Sequence, residues 1–125
     1  MKPFLGLILG LLFLVSCDRT DHQGEEWQKL EGQYTQILDA ASKVACTDGS
    51  EWKIVGITPK PCGGYYHFLA YHKSVENDIL PKVNQYNSDV NAFNKKWNKI
   101  SDCSMAIQPK FVVRRWKSSD EILTC

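Results

Sequence analysis

The chain has 125 residues, with 15 Lys plus Arg against 14 Asp plus Glu and a formal net charge of +1. A chain of this length builds one core rather than two, and near-neutrality argues against a general nucleic-acid binder. The charge is unevenly spread: residues 18–51 carry eight acids against Arg19, Lys29 and Lys43, whereas residues 52–125 carry eleven bases against six acids. An acidic and a basic region are therefore expected.

At the N-terminus Lys2 precedes an apolar and glycine run from Phe4 to Val15. That run is too short for the ~20 residues of a spanning helix and has the layout of a secretory signal, residues 1–16. Its end, Leu14-Val15-Ser16-Cys17, resembles the bacterial lipobox. The resemblance implies that Cys17 is acylated, palmitate included, and becomes the first mature residue, anchored in the bilayer of the bacterial cell envelope. Which membrane, and which of its faces, is left open. Residues 17–26 are polar and aperiodic and are expected to form a flexible tether. Residues 27–125 then form a single globular domain.

Within that domain Trp27, Leu30, Tyr34, Ile37, Leu38, Ala41, Val44 and Ala45 recur at three- and four-residue steps, which predicts an amphipathic helix over 27–45. Thr47-Asp48-Gly49-Ser50 carries the turn chemistry to end it. Trp52–Ile57 and Tyr65–Tyr71 are rich in β-branched and aromatic residues. They read as two short strands flanking a Pro- and Gly-rich loop, Thr58–Gly64, a possible hairpin. Ile79, Val83, Tyr86, Val90, Phe93, Trp97 and Ile100 predict a second helix, about 76–100. Pro81 falls in its first turn if Asp78 is the N-cap, and kinks it if Ser74 is. A further strand, Phe111–Trp116, and a turn at Lys117–Asp120 complete the chain. The expected fold class is α+β, mainly helical: two amphipathic helices packed with a minor β element and braced by disulfides.

With Cys17 assigned to lipid, Cys46, Cys62, Cys103 and Cys125 remain. An even number in a small exported domain reads as two bridges. Three pairings are open. Sequential pairing, Cys46 with Cys62 and Cys103 with Cys125, closes two local loops and is favoured; pairing Cys46 with Cys103 would join two helix ends.

One frame runs through the domain: Cys46-Thr47-Asp48, Glu51-Trp52-Lys53, Cys62-Gly63-Gly64, Ala70-Tyr71, Asn94-Lys95-Lys96-Trp97, Ser101-Asp102-Cys103 and Pro109. It resembles small exported lipoproteins of the Bacteroidetes. The resemblance implies a folded, disulfide-bearing envelope protein and supplies no catalytic residue. Those proteins carry a fourth cysteine soon after the proline, where this chain has Arg114-Arg115, so the partner of Cys103 stays open.

No metal or other cofactor is expected. His67, His72 and Cys62 lack the close paired spacing of structural zinc ligands, and oxidised thiols bind metal poorly. The serines at 74, 88, 101 and 104 sit in no nucleophile elbow. Glu25-Glu26, Glu51, Glu76 with Asp78, and Asp120-Glu121 are not arranged as carboxylates facing each other across a groove. The basic and aromatic run from Lys95 to Lys117 suggests a contact face, with Arg114, Arg115 and Trp116 the candidate binding patch and Trp97 a core residue. In an exported lipoprotein, an anionic glycan or an acidic envelope protein suits such a face better than nucleic acid. The Cys62-Gly63-Gly64 loop is either a rigid inserting loop or tight backbone at a bridge, the latter favoured. The sequence thus points to a non-enzymatic, membrane-anchored binding module, a hydrolase inhibitor being one form. A small envelope hydrolase acting on glycan or peptide is the alternative, and a purely structural lipoprotein a third class.

Overall fold

The computed structural model describes residues 19–104, 114–116 and 122–124, with side chains from 22 to 104. The signal segment, Cys17, Cys125, the Phe111–Val113 part of the third expected strand and the turn at Lys117–Asp120 lie outside the described residues. Helix α1 spans Arg19–Ser42, strand β1 Trp52–Pro59, strand β2 Tyr65–His72 and helix α2 Glu76–Lys96. Short strands β3 (Arg114–Trp116) and β4 (Ile122–Thr124) pair with each other, antiparallel. The class is α+β and mainly helical, as the periodicities predict.

The hairpin forms as the strand composition suggests. β1 and β2 are antiparallel, with Val55 opposite Leu69 and Ile57 opposite His67. Its tip is a three-residue loop. Gly63 N–H donates to the Lys60 carbonyl at 3.1 Å and Lys60 N–H to the Gly64 carbonyl at 3.0 Å. Pro61 sits at the first corner of the turn, where its fixed φ fits, and Gly63 takes φ 99°, which a side chain would resist. The glycines of the Cys62-Gly63-Gly64 motif therefore serve the backbone.

Both helices pack their apolar stripes on the hairpin and on each other. Leu30, Ile37 and Ala41 of α1 meet Ile79, Val83, Tyr86, Val90 and Phe93 of α2, with Ile57, Leu69 and Tyr71 from the sheet. Ile79 and Val83 are 0% exposed, so removing either apolar side chain would leave a cavity. Among the described residues the edge of β1 away from β2 has no strand neighbour, and α2 covers it with side-chain amides. Asn87 Nδ2 donates to the Gly56 carbonyl and its Oδ1 accepts from Thr58 N–H, each at 3.0 Å. One side chain thus stands in for a peptide of a third strand, which also blunts an aggregation-prone edge. Asn94, two turns on, donates to the Pro59 carbonyl at 3.2 Å.

Four helix ends depart from the sequence reading, in bounds or in cap. The stretch expected as a tether is helical from Arg19. The reason lies far along the chain: Glu26 is ion-paired with Lys96 and accepts from Trp97 Nε1 at 3.0 Å, so α2 supplies a contact that ties this stretch to the fold. At its other end α1 stops at Ser42, which leaves Val44 and Ala45 outside the helix.

The N-terminus of α2 follows neither expected cap. Val75 occupies the N-cap without a side-chain bond, and Pro81 lies inside the helix beyond the first turn, where the bond from position 81 to the Asn77 carbonyl is forgone. Asp78 instead stands in the first turn, where the helix dipole favours an acid, and pairs with Lys82 at 2.6 Å. The C-terminus comes early. Lys99 N–H reaches back to the Asn94 carbonyl at 2.9 Å and Asn98 N–H to the Lys95 carbonyl at 3.5 Å, with Asn98 at φ 47°. This is a Schellman stop with asparagine in the left-handed position. Ile100, which the periodicity puts on the buried face, is consequently 93% exposed.

Candidate functional site

The helices and the hairpin enclose a cleft of about 800 Å³. Three elements supply its aromatic walls: Trp27 and Tyr34 from α1, Tyr66 from β2, and Tyr86 and Phe93 from α2. Each ring is where local structure puts it. Trp27 and Tyr34 lie on one side of α1 at helical spacing, and Tyr86 and Phe93 are consecutive members of the buried stripe of α2. Trp27 and Phe93 meet with ring centroids 5.4 Å apart, and Tyr34 and Tyr86 at 5.8 Å. The floor rings are buried or half-buried, whereas Trp27 and Tyr66 keep 39% and 42% of their surface exposed. Large aromatic rings left open at the rim of a cavity are the surface most able to gain by a ligand's arrival.

Polar groups interrupt these walls. Trp27 Nε1 donates to Glu31 Oε1 at 2.8 Å. On the floor the hydroxyls of Thr58 and Tyr86 lie 3.1 Å apart. Burial pushes the phenols of Tyr34 and Tyr86 up from their ordinary value, so both remain neutral hydrogen-bonding groups around neutral pH. Thr58 has φ 62°, a conformation that branched side chains avoid. It is held there by Asn87 and Tyr86, and strained backbone facing a cavity is a common feature of binding sites. His67, Asn94 and Lys99 complete the rim, with Ile100 beside Lys99.

Next to the cleft, a stitch joins the hairpin tip to the segment that follows α2. Lys60 is 7% exposed. Its ammonium donates to Asp102 Oδ1 at 3.0 Å, to the Ser104 carbonyl at 2.6 Å and to Ser104 Oγ at 3.2 Å, and lies 5.0 Å from the centre of the Tyr66 ring. All three ammonium protons have acceptors, which is what a buried cation requires. The bond from Lys60 holds the Asp102 carboxyl below its ordinary value. Beside it, the side chains of Cys62 and Cys103 approach to 2.6 Å, both exposed. Cys62 Sγ also lies 3.2 Å from Ser101 Oγ.

The structure thus sets Cys62 against Cys103, whereas the spacing favours Cys62 with Cys46. The hairpin tip folds back onto the exit of α2, a proximity that sequence separation hides. Cys46 lies between α1 and β1 and is not free. The candidate patch Arg114, Arg115 and Trp116 forms β3, paired with Thr124, Leu123 and Ile122 of β4; its side chains lie outside those described. Trp97 is half-buried against the core, its indole tied to Glu26. His67 lines the cleft, while His72 Nδ1 accepts from Ser74 N–H and caps a 3-10 turn.

The acids weighed for hydrolysis meet bases rather than one another: Glu26 with Lys96, Glu51 with Lys73, Glu76 with Lys53 and Asp78 with Lys82. Glu25 lies 3.7 Å from His22. Asp120 and Glu121 lie outside the described residues. Among the described residues no three His, Cys, Asp or Glu side chains gather as metal ligands, and no helix is long and apolar enough to cross a membrane. The cleft itself is absent from the sequence reading. Its rings come from positions 27, 34, 66, 86 and 93, and only Tyr66 lacks a helical stripe that explains it as core. An aromatic residue in a strand of alternating burial, placed where the pattern turns outward, was the one available signal.

No protein-family model matches the chain, and no curated protein or solved structure is similar to it.

Proposed function

We propose that the chain is an exported, lipid-anchored binding module of the bacterial cell envelope, and that its ligand is an anionic glycan held in the aromatic cleft. The observation that carries this reading is the cleft: about 800 Å³, with Trp27 and Tyr66 half open at its rim. Sugar rings present apolar faces and hydroxyl-bearing edges. Aromatic faces suit the former, while Glu31, Asn94, His67 and the Thr58–Tyr86 pair suit the latter. Lys99 adds a positive charge at the mouth, which favours a carboxylated or otherwise acidic saccharide. Anchoring is supported by the Leu14–Cys17 signature. The resemblance to exported Bacteroidetes lipoproteins supports the same compartment, and with it two disulfides among the remaining four cysteines. Two acyl chains at Cys17 suffice for a firm anchor.

Calorimetric titration of the Cys17→Ser domain with acidic and neutral cell-wall oligosaccharides tests the reading. Saturable binding of the acidic ligand is expected, weakened at least tenfold by Trp27→Ala. No binding, or binding indifferent to Trp27, contradicts it. Cleavage of the oligosaccharide during the titration replaces it with the glycan hydrolase alternative. In cells the same Cys17→Ser change is expected to move the protein from the membrane to the soluble fraction, and an unchanged membrane fraction contradicts the anchor.

A further inference from the structure

Cys62 occupies the second corner of the hairpin-tip turn, between Pro61 and Gly63. Cys103 follows α2 by way of the Schellman stop. Their side chains are 2.6 Å apart and exposed, and the neighbouring polar contacts belong to the same two segments. Lys60 reaches across to Asp102 and Ser104, and Cys62 Sγ lies 3.3 Å from the Asp102 carbonyl. Residues near the two sulfurs line the cleft, Pro61 and Tyr66 on the hairpin, Lys99 and Ile100 on the exit of α2. A covalent link at this point would tie together the two segments that carry them.

We propose that Cys62 and Cys103 form a disulfide that clasps these two segments beside the cleft, made by exchange with the disulfide of an exported thiol-oxidising protein. The Cys62 thiolate attacks one sulfur of the oxidant's disulfide, giving a mixed disulfide and releasing the other sulfur as a thiolate. Cys103 then gives its proton to solvent and attacks Cys62 Sγ, and the oxidant sulfur bonded to Cys62 leaves as a thiolate. Two thiols lose two protons and two electrons, and the oxidant's disulfide becomes a dithiol. The order follows from the surroundings. Hydrogen bonds from the Cys103 thiol and the Ser101 hydroxyl lower the pKa of Cys62, with Lys60 adding positive charge nearby. Cys103 is pushed up, by its bond to Cys62 and then by burial, with Asp102 adding repulsion. The geometry points the same way, with the Ser101 hydroxyl 3.2 Å from Cys62 Sγ and the Asp102 carboxylate next to Cys103 in the chain; Cys62 is accordingly assigned as the attacking thiol and Cys103 as the resolving one.

The effect on ligand capture rests on the binding reading; the bridge and its order do not, and their tests use no glycan. Peptide mapping of the unreduced mature protein is expected to recover Cys62 joined to Cys103. Recovery of Cys62 joined to Cys46 or Cys125 overturns the proposal. With oxidised glutathione as the probe, Cys103→Ser is expected to form a mixed disulfide at residue 62 at least tenfold faster than Cys62→Ser forms one at residue 103; equal rates overturn the assigned order. Hydrogen exchange tests the clasp. Relative to the oxidised protein, the double variant Cys62→Ser, Cys103→Ser is expected to exchange the amides of Gly63 and Lys99 at least tenfold faster, with Val83 unchanged. Unchanged exchange at Gly63 and Lys99 overturns the clasp. If the double variant fails to fold, the same comparison is made on the wild-type protein before and after reduction.

Discussion

Around Ile79 and Val83 the helices and hairpin are joined by apolar side chains that exclude water completely, and the polar contacts nearby only orient them. At the hairpin tip the same elements are joined by Lys60, Asp102, Ser104 and a pair of exposed cysteines, with little apolar surface between them. The first region derives its strength from area and tolerates no loss of volume. The second derives its geometry from a few directional bonds, each with a specific partner, the kind of contact that opens locally before a core does. The cleft lies between these two regions. Its floor belongs to the first, and Tyr66 and Lys99 of its rim stand beside the second.

Changes on the core side should have the largest effects. Ile79→Ala is expected to lower stability by about 2–5 kcal/mol, read as a fall in denaturation midpoint with an unchanged slope. A loss below 1 kcal/mol would mean that the site collapses around the smaller side chain. At the stitch, Lys60→Met keeps the length of the side chain but leaves the Ser104 carbonyl without its ammonium. A loss of about 1–3 kcal/mol is expected, with faster amide exchange at Gly63 before any change at Val90; uniform acceleration would show that the two regions are not separable.

The helix stop supplies a smaller effect. Asn98→Val forces a branched residue into the left-handed region and is expected to cost about 1–2 kcal/mol, whereas Asn98→Gly should be neutral or better by thermal unfolding. Equal behaviour of the two would contradict the assigned stop. The smallest effect concerns acid. Glu26 is held below its ordinary value of 4.5, by its bond from Lys96 and then by Trp97. As the pH falls the unfolded chain takes up this proton first. The contribution is therefore full above about 4.5 and is lost as the pH drops through the lower folded value. Because Lys96 is exposed and Glu26 only half-buried, solvent screens the pair, and Glu26→Gln should change stability little at neutral pH and flatten its decline over that acidic window. An identical acid profile for the variant would remove Glu26 from the account.

The same contrast explains what the sequence made legible. The rigid side is periodic, and Ile79, Val83, Tyr86, Val90 and Phe93 announce a buried helix face because each repeats the same requirement. The hairpin is visible in its composition, and Gly63 in its turn. The stitch has no period. Lys60 is one lysine among many until the chain brings Asp102 to it, and nothing in the spacing sets Cys62 beside Cys103 until the tip folds back. The end of α2 departs from the periodicity because Trp97 and Ile100 continue the apolar spacing while a single asparagine ends the helix. The start of α1 departs from the local composition because Glu26 finds its partner in Lys96, across the fold. The cleft was hidden for a further reason: rings that serve as core from one side serve as walls from the other, and periodicity does not separate these roles.

The most direct test of the central claim is where a ligand lands. Amide and indole shifts of the oxidised Cys17→Ser domain are followed by NMR as an acidic cell-wall oligosaccharide is added. Shifts concentrated at the Trp27 indole, Tyr66 and Lys99, with Val55 and the α1–α2 contact at Gln33 and Asp89 unmoved, are the predicted result. Shifts confined to β3 and β4, or none at saturating ligand, would contradict a glycan site in the cleft.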